Sequence, residues 1–599
     1  MSRLTAPPYG WASVRNGGAF LLSLVAGLAV FAPRAAQAAD GPPAVNPFKQ
    51  LKQRYNETQQ GSERIGVRTR YAFVANDPLV GSQWHLDNGL GWSDVNIQGA
   101  WSRGYTGAGV TIGIVDDGLQ HLHPDLAPNY SPTDSFDFGP IINDLDPSPF
   151  YNNSGAGAGD GDNHGTAVAG VAAARGGNGT GGSGAAPLAK VAGLRADFTN
   201  FFNPNQFADA TRYRSSGAVT TIDVKNHSYG ISDPYVPTNA ELAALNDSSA
   251  AGTIHVFAAG NERQGHNFSA DGDANKKAEQ NSINSIAVGA LAFNGTFASY
   301  SNWGANLFVT APTSGAGLGI TTTDRTGSGL AGGYNDTAGS GIDFDPLADL
   351  DYTSVFGGTS SAAPLVSGVL ALAKEANPAL DTRMAKHLLV LTSDSTIDSS
   401  DATLESDGGW QTNAAGNRFN QNYGFGLIDA EALTAAATLY AGVTAPVFES
   451  VVGGVNAALP DAIVNDLTPG VVTRTFNLFQ PGALEEMVIG LNISHTYTGD
   501  LQATLTSPAG TSSRLMLRNI ADPVDNLSWA FTSNAFWGEN PVGAWTLSVE
   551  DWFTGDIGIW QSFSATAITG SLILVPEPAT LAIVLAALVV GSRQRSAGR

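Results

Sequence analysis

Hydrophobic and polar positions follow two different rhythms along this chain. Between residues 71 and 440, compact apolar runs rich in β-branched side chains recur at Val110–Val115, Ile222–Val224, Ile254–Ala258 and Ile286–Ala290. Runs of that length with no polar face predict buried strands. Thr166–Ala174 and Ser361–Ala373 are longer and predict helices. Strand, glycine-bounded turn and helix in alternation predict an α/β domain around a doubly wound parallel sheet. Ligands bind at the carboxyl ends of strands in such sheets, and Asp116 and Asn261 fall at two of those ends. Residues 313–353, rich in Gly, Thr and Asp, predict an excursion from the core. The rhythm changes near 441–450. From 446 to 571, short alternating segments such as Leu501–Leu505 and Trp545–Val549 are separated by Gly, Asp, Asn and Pro, which predicts a second, all-β sandwich or jelly-roll domain.

Both ends break this pattern. Arg3 and Arg15 precede an apolar run from Ala19 to Ala32 and the small-residue stretch Ala35-Ala36-Gln37-Ala38. This predicts a signal peptide over 1–38, since the run is short of the about 20 residues a spanning helix needs. Residues 39–70 are polar with charges of both signs and predict a short pro-region or linker. The C-terminus reads Val575-Pro576-Glu577-Pro578, then an apolar run from Ala579 to Gly591, then Arg593 and Arg595. Over 575–599 this resembles a PEP-CTERM sorting tail. The resemblance implies export across the inner membrane of a Gram-negative bacterium, removal of the tail by a membrane sorting peptidase, and a final place in the cell envelope, at the surface or outside the cell.

Charge and cysteine content narrow the choice of partners. Thirty basic residues against 53 acidic ones leave a net charge of −23, a field that repels a phosphate backbone and argues against nucleic acid. There is no cysteine, so neither disulfides nor thiol chemistry are available. An exported chain without disulfides must be stiffened in another way, and bound Ca²⁺ is the candidate.

Three distant segments each place one reactive side chain among small residues: Ile114-Val115-Asp116-Asp117-Gly118, Asn163-His164-Gly165-Thr166-Ala167 and Gly358-Thr359-Ser360-Ser361-Ala362-Ala363-Pro364. A serine hydroxyl needs a base to become a nucleophile, imidazole titrates in the right range, and a carboxylate fixes its tautomer. Ser360, His164 and Asp116 are therefore the expected nucleophile, base and orienting acid. Asn261, ending the apolar strand before it, is the expected oxyanion donor together with the Ser360 N–H. Taken singly, an Asp before Gly is a turn residue and a Ser opening a helix is an N-cap. The order and spacing of all four point to peptide-bond hydrolysis. The competing reading is an inactive surface scaffold or adhesin that keeps the fold without turnover.

With Asp116-Asp117-Gly118 followed by His123-Pro124-Asp125-Leu126, and with His164-Gly165-Thr166, Gly260-Asn261 and Gly358-Thr359-Ser360, residues 77–440 resemble the subtilisin-like peptidases of the kexin and furin branch. Residues 446–571 resemble the P domain that follows the catalytic domain in kexins, through Thr498-Gly499-Asp500-Leu501, Ser507-Pro508-Ala509-Gly510-Thr511, and Trp537-Gly538-Glu539 with Gly543-Ala544-Trp545. The resemblance implies a monomeric, calcium-dependent serine endopeptidase acting on proteins and peptides after basic residues. It implies that Asp117 faces the P2 side chain, that Asp233 pairs with a P1 Arg or Lys, and that Asp271 forms the base of that pocket. It implies one calcium site at Asp77, Asp125, Asn178, Thr180 and Gly182, and a second at Asp137, Asp144 and Asp146. Ser232 stands where the family often carries a glutamate, and Asn239 near where it carries a further acid, so the expected basic preference is looser than furin's.

Overall fold

The computed structural model describes residues 72–576 except 89–92, 140–143, 150–161, 199–204, 217–218, 264–271, 327–332, 336–344, 402–408, 463–467, 520–521 and 523. The expected signal peptide, the pro-region and all but the first two residues of the sorting tail lie outside the described residues.

Seven strands form one parallel sheet: β1 (Thr111–Asp116), β2 (Phe136–Asp137), β3 (Lys190–Arg195), β4 (Val224–His227), β5 (Ile254–Ala258), β6 (Ser285–Leu291) and β7 (Val309–Pro312), in the order β2-β3-β1-β4-β5-β6-β7. The apolar runs identified in the sequence supply β1, β5 and β6 with shifts of a residue or so. The run at 222–224 only begins its strand. The strand proper continues through Lys225, Asn226 and His227, all fully buried. Lys225 survives there because its Nζ donates to Ala210 O, Thr211 O, Tyr213 O and the Ser215 hydroxyl. Burial holds its pKa well below the usual lysine value.

Two helices position the chemistry. Helix α1 (His164–Ala173) is buried on every side after its first residue, as its Gly, Ala and Val content allows. It packs against α2 (Thr359–Ala376), where a Cβ on Gly368 would stand 2.7 Å from Ala172 O. A third helix, α3 (Thr382–Thr392), packs beneath the sheet and faces the second domain.

That second domain is a sandwich of two four-stranded antiparallel sheets. The first runs β8-β15-β10-β13, formed by β8 (Val447–Leu459), β10 (Leu484–His495), β13 (Leu527–Ser533) and β15 (Gly558–Thr569). The second runs β9-β14-β11-β12, formed by β9 (Gly470–Leu478), β11 (Leu501–Thr506), β12 (Ser512–Met516) and β14 (Gly543–Asp551). Alternate residues fill its core, with Trp545, Trp560 and Phe531 fully buried. Trp537 leaves this sandwich and joins the α/β core, where its ring lies 5.5 Å from Phe308 and 5.0 Å from His387. Around it, Arg383 and His387 of α3 bind Glu485 at 2.6 and 2.8 Å, and Lys386 binds Glu486 at 2.5 Å.

Candidate active site

Asp116 ends β1 and His164 opens α1, so one strand end and one helix start bring them together. His164 Nδ1 lies 2.8 Å from Asp116 Oδ1, and the carboxylate is 3 % exposed. The adjacent Asp117 caps α1 from a distance: its carboxylate accepts the N–H groups of His164 at 3.1 Å and Gly165 at 2.7 Å. These are two of the helix's unpaired donors, and negative charge at a helix start is favourable. Burial drives the His164 proton off, but the charge and hydrogen bond of Asp116, helped by Asp117, outweigh it and raise the imidazolium pKa to about 9. Burial, then the charge of Asp116, lift Asp117 to about 7.

Ser360 is the second residue of α2, and Pro364 lies four residues on. Proline has no N–H, so the carbonyl of Ser360 loses its helical partner. The Ser228 hydroxyl takes that place at 3.0 Å, while Ser360 Oγ donates to Ser228 O at 3.2 Å. The nucleophile is thus tied to the strand end after β4. Its hydroxyl donates to that carbonyl rather than to His164. Catalytic contacts of this kind are often loose without substrate.

The amide of Asn261 is oriented by necessity. Its oxygen accepts Thr359 N at 2.8 Å and Thr359 Oγ1 at 3.0 Å, which leaves Nδ2 as the free donor beside the start of α2. Two glycines permit the approach: Gly260 has φ of 106°, and Gly358 has φ of 74° with its missing Cβ 3.2 Å from Asn261 Nδ2. The four residues expected to do chemistry therefore gather at the carboxyl end of one sheet.

A cavity of ≈ 160 Å³ opens beside Ser360. One wall is Ser228–Ile231, the other Ala258–Glu262, and Lys277 and Gln280 also line it. Of the two expected P1 acids, only Asp233 falls among the described residues. Asp233 is exposed and absent from the lining, and Asp271 lies outside the described residues. Among the described residues the acid in the lining is Glu262, next to Asn261, held by Asn302 Nδ2 at 2.5 Å while its own N–H donates to Asn302 Oδ1 at 2.8 Å. Nothing in the sequence marked Glu262, Lys277 or Gln280 except the proximity of Glu262 to Asn261.

The two expected calcium loops differ. At the first, Asp77 accepts the N–H groups of Gly177, Asn178 and Gly179, and Asp125 accepts Asn178 Nδ2 at 2.8 Å and Gly182 N at 3.1 Å. Thr180 is exposed, and its N–H donates to Asn178 Oδ1. Burial is the main force raising Asp125 to about 6, with the Asp77 charge adding to it. Two buried carboxylates surrounded by N–H donors, with no cationic side chain bound to either among the described residues, are hard oxygen donors of the kind a divalent cation takes. At the second, Asp137 is already neutralised by Arg195 at 3.1 Å, which also binds Asp162. Asp144 and Asp146 are exposed, and Asp146 pairs with His121 at 3.2 Å. No group of three or more acidic, His or Cys residues suited to a metal occurs among the described residues, so the expected Asp137, Asp144 and Asp146 site is not assembled. No described helix is long and apolar enough to cross a membrane.

Comparison with known proteins agrees with this geometry. Residues 107–426 match the Subtilase family, and residues 484–566 match the Proprotein convertase P-domain. The chain is 32 % identical over 526 residues to proprotein convertase subtilisin/kexin type 6 of Rattus norvegicus, covering 83 % of this chain and 50 % of that one. It is 32 % identical over 501 residues to neuroendocrine convertase 2 of Sus scrofa, covering 79 % and 71 %. It thus spans about half the length of the first relative. Among solved structures, the serine protease of Aeromonas sobria in complex with its chaperone superposes with a TM-score of 0.72 at 25 % identity, covering 85 % of this chain and 98 % of that one. With Asp116, His164 and Ser360 at one sheet end and a P-domain sandwich following in the same chain, the chain belongs to the subtilase family.

Proposed function

We propose that this chain is an exported serine endopeptidase that cleaves proteins and peptides. The observation that carries the reading is the 2.8 Å His164–Asp116 pair at the carboxyl end of the sheet, where Ser360 and Asn261 also line one cavity. His164 Nδ1–H donates to Asp116, so Nε2 is left as base. It takes the Ser360 proton as Oγ bonds to the scissile carbonyl carbon. The carbonyl electron pair moves to oxygen, where Asn261 Nδ2–H and the Ser360 N–H meet it. The C–N bond then breaks and the His164 proton passes to the leaving amine. Water, deprotonated by His164, attacks the acyl-serine and releases the acid and the free hydroxyl.

The reading extends to a preference for basic residues at P1 and P2. Glu262 at the cavity and the half-buried Asp117 beside the triad are the acids that support it. Charge-assisted pairs of this kind contribute about 1.5–3 kcal/mol. Asp77 and Asp125 would hold Ca²⁺, which would stabilise the surrounding loop. The apolar ends support export and trimming of the tail by a sorting peptidase, and the working state is a monomer.

The test is hydrolysis of paired peptides, Lys-Arg against Ala-Phe before the cut, with Ca²⁺ and a Ser360→Ala control. Cleavage of the basic peptide, lost in the control, is expected. Cleavage of the apolar peptide alone removes the basic preference. Folded protein that cleaves neither is the inactive scaffold.

A further inference from the structure

Lys277 and Gln280 line the cavity beside Ser360, yet their backbone belongs to neither of its walls. They sit in the segment from Asp273 to Asn281, which is bound to the sandwich domain at both ends. Asn275 is fully buried. Its Nδ2 donates to Leu515 O at 2.9 Å and Thr532 O at 3.0 Å, its Oδ1 accepts Thr532 N at 3.0 Å, and its carbonyl accepts Trp529 Nε1 at 2.9 Å. Lys276 follows, with its ammonium 3.3 Å from Asp522 in a pair whose two side chains are wholly buried. At the other end, Asn281 accepts Thr532 N at 2.8 Å and Thr532 Oγ1 at 2.7 Å, and donates to Ala530 O. Between these anchors Lys277 donates to Ser232 O, one residue beyond the Ser228–Ile231 wall, and Gln280 donates to Ala258 O of the other wall at 3.1 Å. The carbonyl of Lys276 also accepts Tyr235 N at 2.8 Å, and the Tyr235 ring packs 5.6 Å from Trp529.

We infer that the sandwich domain positions the floor of the P1 cavity: β13, through Asn275 and Asn281, fixes the depth at which Lys277 and Gln280 meet the P1 side chain. Lys277 and Gln280 are specificity-determining residues, and Asn275, Asn281 and Thr532 are positioning residues that act through them. The segment is short and held at both ends, so a loosened anchor moves the floor rather than the triad, whose side chains take no hydrogen bond from the sandwich among the described residues. Misplacement by about 1 Å costs up to about 10²-fold where geometry governs the reaction. The inference rests on the endopeptidase reading above and names what tunes its substrate choice.

The experiment is a P1-scanning peptide set with P2–P4 fixed, cleaved by the full chain and by Asn281→Ala, Thr532→Val, Lys277→Met and Arg383→Gln. In Asn281→Ala and Thr532→Val the kcat/KM ratio between the best and the median P1 residue falls about tenfold, through KM, with kcat for the best peptide within about threefold. Lys277→Met leaves the anchors intact and reorders the P1 ranking directly. Arg383→Gln loosens the same domain interface away from the cavity, so it lowers Tm and leaves the ranking alone. An unchanged ranking in both anchor variants, or in Lys277→Met, overturns the inference. So does a shift in Arg383→Gln equal to that in Asn281→Ala, because then any loss of stability moves selectivity. A parent chain that cleaves no peptide fails at the endopeptidase reading itself, an outcome distinct from cleavage with unaltered preference.

Discussion

The triad and the cavity floor lie side by side but are built in opposite ways. Asp116, His164, Asn261 and Ser360 stand at the ends of elements that share one core, and each is oriented by a neighbour from that core. Lys277 and Gln280 sit in a segment whose Asn275 is held by partners in another domain, 240 to 257 residues away in sequence. Chemistry here depends on local packing, and recognition depends on domain docking. The two should therefore respond to different insults.

The largest effect expected on the triad side alone is Ser360→Ala, which lowers kcat by about 10⁶-fold, the scale seen for triad removal in subtilisin itself, while Tm stays put. A fall in Tm alongside it would blur the division. Breaking the docked side calls for Lys276→Met. It strands the Asp522 carboxylate in the interior, and denaturant melts should show a loss of about 3–5 kcal/mol. If the melt is unmoved, the two domains are not energetically joined at this segment. Asn261→Ala returns to the triad side and costs about 10²–10³ in kcat with little change in KM, read by steady-state kinetics.

Calcium sharpens the contrast at smaller scale. Saturation to about 100 times Kd adds about 2.7 kcal/mol of stability, seen as a rise in Tm that chelation reverses. Asp125→Asn should abolish that response, and Asp137→Asn should preserve it. The opposite result would restore the second loop as the metal site. The smallest effect is on pH. His164 must be neutral to act as base and its pKa is raised to about 9, so kcat/KM climbs with pH until about 9. Asp117 is a negative charge that favours the imidazolium, so Asp117→Asn should move the limb to lower pH. A profile that stays in place would show that Asp116 alone sets the base.

Legibility in the sequence followed the same division. Buried parallel strands are apolar throughout, so β1, β5 and β6 could be read directly. The triad could be read because each residue sits among small neighbours that the close approach of strand and helix requires. The later part of β4 could not, since Lys225 and His227 look like surface residues until the carbonyls and the His255 ring that meet them are brought together. The second acidic loop misled for a similar reason: its neutralising Arg195 lies 58 residues beyond Asp137. The cavity floor was the least legible part. Resemblance pointed to Asp233, which is exposed, whereas Glu262, Lys277 and Gln280 line the space among the described residues. Which side chain faces a cavity depends there on where β13 holds the segment, and no local pattern encodes that.

The docking of residues 273–281 also fixes an order in time. Asn275 and its partner Thr532 are separated by 257 residues, which a ribosome needs about 13–50 s to add. Once Ser360 has been added and until Thr532 follows, the expected nucleophile, base and acid are all present but the surface proposed to receive the P1 side chain is unsupported. A polypeptide leaving a ribosome or a membrane pore end-first gains its competence only when the sandwich domain has followed. The delay gives the cell that produces it an interval in which the nascent chain has catalytic residues but lacks a finished site to hold what they would cut.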